Sequence, residues 1–542
     1  MRQPLFRAIF AAILSVLCVT PASAAWHKAE SDRFVIYSDS RSSDIEEFAQ
    51  MLERYHVAMT LESGREVAVP SPSSRLTVYM TGSLEELRVI YGSRRSSVGG
   101  FYIPRASGSV SFVPNVRIRA KDNSRVKTGS RMSRDLSVRG IDRSLSILLH
   151  EYAHHFLIGS SRHAMPRWLS EGAAEYFSSA RFNNDGSVDI GLPNNQRAWE
   201  ISQAASVPVR ELLDYDLYRK NRGSRYDAFY GRSWLLYHYL RFSPERSGQL
   251  SRYWREVATG TKSIDAAEKI FGDLDALEKD LKSYGRQRKM AGMRFNKSDI
   301  SIGAVNVAKL SAGHADMMDV IMRSKRGIDE DDAAKLAEKA RNVAAKYSAD
   351  PAVLSALAEA EFDAGNDAAA IAAADRAIAA DKLAKNAYVQ KGLALFRLAR
   401  NAEKGSKTAA FAKAMKPFQA LNALEADHTQ PLIHYYRSFT GRGAIPPEGA
   451  RAALERATQL APFDKSLAVE VAAMKMAEGD PVIARYLLAP VAADPHGQKQ
   501  AALAQAVIDY LKTAPDGKPV NFNKLKKQIE ALGSDASDES AE

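Results

Sequence analysis

Cysteine is nearly missing from this 542-residue chain, and the single one, Cys18, lies in a segment built like an export signal. Arg2 and Arg7 precede an apolar run over 8–19, and Ala22, Ser23 and Ala24 then supply a small-x-small cleavage site. Cleavage of residues 1–24 leaves a mature chain from Ala25 with no thiol and no disulfide, so its stability must come from packing. Leu17 is not the small residue that a lipoprotein signal places before its cysteine. The expected location follows: secretion across the inner membrane into a periplasm.

Long hydrophobic runs are also lacking. The stretch 8–19 is too short to span a bilayer and no later one approaches the needed length, so the mature chain should carry no transmembrane segment. Excess charge is small: +11 falls to +9 once Arg2 and Arg7 leave, which reads as ordinary solubility before any affinity for anionic polymers. Aromatics are absent from the one strongly basic stretch, 117–143, where nine Lys/Arg residues alternate with Ser, Gly and Asn. Without a stacking platform it does not suit single-stranded nucleic acid, and no nucleic-acid partner is expected. It reads as a loop, either solvated and without a task or a lid for an acidic substrate.

What is present centres on residues 147–176. His150 and His154 bracket Glu151 in an H-E-x-x-H spacing, and residues four apart on a helix face the same way, so two imidazoles can meet one metal with a carboxylate beside it. The helix should begin at an Asp142 N-cap and stop at Gly159. His155 is turned about 100° from His154 and is assigned to packing or surface, and His163 to the following loop. Imidazole and carboxylate ligands suit zinc and leave a fourth position for water, whose pKa the metal lowers. Seventeen residues on, Glu171, Ala174 and Glu175 share a face of a second helix, which offers a further carboxylate.

Together with Trp168, Glu171, Gly172, Ala174, Glu175 and Tyr176 in the order W-x-x-E-G-x-A-E-Y, this pattern resembles the gluzincin metallopeptidases of the peptidase-MA-like group. The resemblance covers roughly residues 26–285. It implies one Zn2+ per chain held by His150, His154 and Glu171, Glu151 as general base, and Glu175 orienting a ligand imidazole. Related sequences place a tyrosine hydroxyl at the oxyanion in a Y-x-x-S-W setting, which matches Tyr230, with Tyr226 in reserve. Arg232 is a further candidate for a substrate carboxylate. The Gly-Ala-Met-Glu-Asn motif of aminopeptidases in this clan does not occur, so endopeptidase activity on a peptide or protein substrate is the implied function.

Around the motif the periodicity predicts an α+β zincin-like domain. Strands are expected over 33–38 and 75–80, a helix over 44–59, and a hairpin over 98–104 and 109–113. In the family it resembles, an edge strand there pairs with extended substrate; Gly99 and Gly100 would allow close approach, although a plain hairpin needs no such role. The expected domains are an N-terminal lobe over 25–140, a helical zinc-binding lobe over 141–285, a linker over 286–304, tetratricopeptide-like repeats over 305–532 and a disordered acidic tail over 533–542. The repeats follow from alanine-rich helix pairs, clearest over 353–381, which must stack into a solenoid to bury their faces. They suggest a protein partner. They also sustain an alternative function: an interaction scaffold whose zinc domain is structural and non-catalytic.

Overall fold

A computed structural model describes residues 25–65, 67–96, 98–115, 143–161, 164–287, 289–493 and 498–538. The signal sequence, most of the basic stretch 117–143, Asp142 and His163 lie outside the described residues. The fold is an N-terminal mixed α/β domain followed by a long all-α region of stacked helix pairs, a tetratricopeptide-like solenoid.

The α/β domain begins with β1 (His27–Glu30), β2 (Phe34–Ser38), α1 (Ser42–Ser63), β3 (Leu76–Thr81), α2 (Leu84–Tyr91), β4 (Phe101–Ile103) and β5 (Val110–Pro114). It continues with α3 (Arg143–Ser161), α4 (Arg167–Ser178), β6 (Arg181–Phe182), β7 (Val188–Ile190), α5 (Asn195–Gln203), α6 (Val209–Leu213), α7 (Tyr215–Asn221) and α8 (Phe229–Phe242). Helices α9 (Gln249–Ala258), α10 (Ser263–Phe271) and α11 (Leu274–Tyr284) and strands β8 (Met293–Phe295) and β9 (Asn306–Lys309) complete it.

The main sheet runs β4-β5-β3-β2-β1-β9, with β2, β3 and β5 parallel and the other pairs antiparallel. Helix α1 makes the crossover between β2 and β3 because Ile45, Phe48, Leu52, Tyr55 and Met59 recur on one face and are fully buried under the sheet. One continuous core extends from Ala29 in β1 to Leu281 in α11, so the two expected lobes share their interior.

Four local expectations differ. Helix α3 passes through Gly159 and reaches Ser161. The stretch 286–304 is not a free connection, since β8 pairs with β7; β9, taken from the sequence as the start of the repeats, pairs with β1 and closes the sheet edge. These strands are three and four residues long with no apolar run, too little local signal to be found. At the C-terminus α23 runs to Asp538, into the stretch expected to be disordered, and 539–542 lie outside the described residues.

Edge strand β4 lies against α3. A Cβ on Gly99 would stand 3.0 Å from Ile147 Cδ1, and one on Gly100 3.3 Å from Ile147 Cγ2. The close approach that these glycines permit is therefore to α3 itself, which fixes the edge strand on the helix that bears the histidines. Gly172 does the same between helices: a Cβ there would lie 2.4 Å from the Ser233 carbonyl oxygen, so α4 touches the backbone of α8. Gly172→Ala should cost about 1–3 kcal/mol by overpacking, read as a lowered midpoint of thermal unfolding.

The solenoid comprises α12 (Ala312–Arg326), α13 (Glu330–Lys346), α14 (Pro351–Asp363), α15 (Asp367–Ala380), α16 (Lys385–Asn401) and α17 (Lys407–Leu424). Helices α18 (Thr429–Thr440), α19 (Glu448–Leu460), α20 (Lys465–Glu478), α21 (Pro481–Ala492), α22 (Gln498–Leu511) and α23 (Phe522–Asp538) follow, making six pairs. Alanines such as Ala358, Ala370, Ala374 and Ala377 are fully buried where neighbouring helices meet.

The solenoid grips the α/β domain. Met318 and Met322 of α12 pack with Tyr79, Leu87, Ile90, Val110 and Phe112. The turn between β4 and β5 enters the solenoid: Ala106 N–H donates to Asp464 Oδ2 at 2.7 Å, and its carbonyl accepts from the Thr429 hydroxyl. Glu425 accepts from the backbone N–H and hydroxyl of Ser73 at 2.9 and 2.7 Å.

Candidate metal centre

Helix α3 presents His150 and His154 one turn apart with their Nε2 atoms 3.1 Å from each other. Helix α4 packs across them and brings Glu171 Oε2 to 3.4 Å from each Nε2. Among the described residues these three form the group able to hold a metal ion. Four ligands at zinc distances on a tetrahedron stand about 3.3 Å from one another. The observed triangle of 3.1, 3.4 and 3.4 Å is one face of that figure, so the donor set fits zinc in kind and in spacing. The Glu171 side chain is 1 % exposed while both imidazoles are 16 % exposed, which leaves access from the histidine side.

Further polar groups fix the imidazoles. His150 Nδ1 lies 3.2 Å from Glu175 Oε1, a partner for its N–H that leaves Nε2 to ligate a metal once the metal displaces its proton. Ser170 Oγ stands 3.2 Å from His154 Nδ1. Glu175 is itself held by Arg197 at 2.6 Å and by Asn194 Nδ2 at 3.1 Å. Arg197 also pairs with Glu200, which accepts from the Tyr226 hydroxyl and the Gly231 N–H, each at 2.8 Å.

Burial would depress His150, but its bonds to Glu171 and Glu175 prevail and raise it to about 10. Burial likewise works to raise both carboxylates; the histidines outweigh it, holding Glu171 well below the usual range and Glu175, with Arg197 assisting, down to about 2. A buried cluster that retains its negative charge and stabilises an added positive one is the electrostatics a divalent cation requires.

Glu151, half-buried, follows His150, and its charge reaches Tyr102 on β4: burial first and Glu151 after it push that phenol up. Tyr230, at the start of α8, stands beside Glu171, whose charge adds to burial in raising its phenol while Arg167 opposes. Tyr226 is 62 % exposed and its hydroxyl donates to Glu200. Arg232 is buried and bound to Glu278 at 2.7 Å and to the Val207 carbonyl at 3.0 Å. His155 meets Tyr102 through a 2.7 Å hydrogen bond and packs 4.6 Å from the Phe463 ring of the solenoid; burial lowers it to about 4.

Ser170, Asn194, Arg197 and Arg167 escaped sequence reasoning. Ser170 and Arg167 sit at unconstrained positions around the second motif; Asn194 and Arg197 lie about 20 residues beyond it in polar sequence with no periodic signal.

Residues 144–262, which include the triad, match a family profile described as a protein of unknown function, DUF1570. A comparison with curated proteins gives no match. Among solved structures the chain is similar to TTC0263, a thermophilic tetratricopeptide repeat protein of Thermus thermophilus, at 14% identity and a TM-score of 0.29, over 38% of this chain and 98% of that one.

Proposed function

We propose that this chain is a zinc-dependent metallopeptidase of gluzincin type, acting as an endopeptidase in the cell envelope. The observation that carries the reading is the His150, His154 and Glu171 triangle with tetrahedral spacing, together with a carboxylate, Glu151, next to it on the same helix. Zinc held there would polarise an acyl oxygen and bring the pKa of a water near neutrality.

Glu151 takes a proton from the attacking water as the water oxygen bonds to the acyl carbon. Tyr230 donates its O–H to the acyl oxygen as negative charge collects on it. When the carbon–nitrogen bond breaks, Glu151 returns the proton to the departing amine. Glu175, fastened by Arg197 and Asn194, keeps His150 turned toward the metal throughout. An extended peptide along the edge strand β4 would lie beside α3, next to Glu151.

Envelope location rests on the signal-like first 24 residues, and no helix among the described residues is long and apolar enough to cross a membrane. For the solenoid we propose a protein partner. The supporting feature is a cavity of about 500 Å³ beside Ala106, bordered by Arg397, Arg400, Arg437 and Asp464, where Arg397 and Arg437 are already paired with Asp367 and Glu470.

The test is elemental mass spectrometry on the purified chain from Ala25, with peptide-library digestion in parallel. The expected result is about one zinc per chain, lost in His154→Ala, and cleavage that stops on chelation and returns with zinc. A chain that holds no zinc and takes none up sinks the proposal.

A further inference from the structure

The turn between β4 and β5 closes the cavity in the solenoid. Ala106 and Ser107 stand on one side of this space of about 500 Å³, and α14, α16, α18 and α20 line the rest, with Phe362, Phe396, Ile433 and Leu467 as its apolar part. Most charges at its border are met. Arg397 is paired with Asp367 and Arg437 with Glu470, and the oxygens of Asp464 accept from the N–H groups of Ala106 and Leu467. Arg400 differs: its guanidinium lies 5.8 Å from the centre of the Phe396 ring and has no carboxylate partner among the described residues.

Two buried polar side chains of α18 also line the cavity with their bonding unmet. Gln430 is 8 % exposed, and its side-chain amide has no hydrogen-bond partner among the described residues. His434 is 4 % exposed; its ring stacks on Phe418, 4.5 Å between centres, and Nδ1 lies 2.9 Å from the Gln430 carbonyl oxygen. A carbonyl only accepts, so Nδ1 carries the hydrogen. Burial lowers the ring to about 3 and keeps it neutral, which leaves Nε2 as an acceptor without a partner among the described residues. Buried groups of this kind cost free energy until something bonds them. An amide asks for both an N–H and a carbonyl, the imidazole for an N–H and Arg400 for a carboxylate. A peptide segment with one acidic side chain supplies all of these.

The cavity adjoins the path proposed for substrate. Tyr102 of β4 meets His155 of α3 through a 2.7 Å hydrogen bond, and Phe463, which precedes Asp464, packs 4.6 Å from the His155 ring. Ala106 follows Tyr102 by four positions, an extended reach of at most about 14 Å. A peptide that lies along β4 and continues past Ile103 therefore arrives at the cavity within a few residues.

We propose that the cavity anchors a flanking segment of the peptide substrate: an acidic side chain a few residues beyond the part beside Tyr102 pairs with Arg400, while Gln430 and His434 bond the backbone groups next to it. This rests on the metallopeptidase reading above, and it makes the substrate itself the partner that this face of the solenoid receives.

The experiment uses the zinc-loaded full chain and quenched peptides built on a core that library digestion shows to be cleaved. Each peptide carries a six-residue Ala-Ser flank on one side of the core, with a single Glu, Gln or Lys stepped through its positions, and kcat and KM are read for all. In the wild type one flank should show a preference for Glu over Gln of about fivefold, carried by KM and confined to one or two neighbouring positions. Arg400→Gln should bring that ratio below about twofold, and Arg400→Glu should reverse it in favour of Lys. Gln430→Ala should raise KM about threefold for the Glu and Gln peptides alike. Arg400 is exposed, so its replacements are expected to fold. A ratio near one at every position in an active wild type, a preference that survives both Arg400 variants, or a KM unmoved by Gln430→Ala overturns the anchoring role and leaves the peptidase reading standing. A zinc-loaded wild type that cleaves no library peptide removes that reading and this inference together.

Discussion

Glu151→Gln should lower kcat/KM on a peptide substrate by about 10²–10⁴ while zinc stays at one per chain. Glutamine keeps the size and hydrogen-bonding capacity of the side chain but has no basic oxygen, so water can still be oriented and its proton cannot be taken. The ligand triangle does not include Glu151: the 3.1 and 3.4 Å contacts run among His150, His154 and Glu171, and Glu175, Ser170, Asn194 and Arg197 support them from outside. Metal content and fold are therefore expected to survive. Elemental analysis of the variant beside its rate separates loss of the base from loss of the site. Full activity with bound zinc would remove Glu151 from the mechanism.

A chain ended before α12, residues 25–311, should fail to give a soluble, cooperatively folding product, although it retains all the residues of the candidate site. Met318 and Met322 are about 1 % exposed beneath α2 and β5, and their loss would open a patch of Tyr79, Leu87, Ile90, Val110 and Phe112 to water. Burying a methionine or phenylalanine is worth about 1.5–3 kcal/mol, so several such residues amount to most of a domain's net stability. The β4–β5 turn would lose Asp464 and Thr429 as well, and Ser73 would lose Glu425. Soluble yield, circular dichroism and urea unfolding read the outcome. The rival scaffold reading treats the solenoid as a unit apart; a stable 25–311 fragment that cleaves peptides as the full chain does would show that the contact is dispensable.

The grouping of His150, His154 and Glu171 was legible because half of it is local: a four-residue spacing on a helix sets two side chains on one face whatever the rest of the fold does. The solenoid was legible for a related reason, since stacking helices need small residues at regular intervals. Glu175 was legible as a partner of the site because it stands one turn after Glu171. Strands β8 and β9 were not, because each is a few residues long and exists through pairing with a strand far away in the chain.

Tyr226, the reserve to Tyr230 in the sequence reading, lies exposed with its hydroxyl on Glu200, a contact that nothing in the local sequence signals. Arg232 shows the opposite case, a cation suited to a ligand by type and buried against Glu278 by position. The sequence by itself determined the kinds of donor, their spacing within α3 and α4, and the alanine periodicity of the repeats, because each depends on helix geometry over a few residues. The tertiary structure alone decided which further groups stand against the triad, Ser170 beside His154 and Arg197 behind Glu175, and how the solenoid grips the α/β domain. Those contacts join residues tens to hundreds of positions apart, and they depend on how helices pack, as where Gly172 lets α4 rest on the backbone of α8.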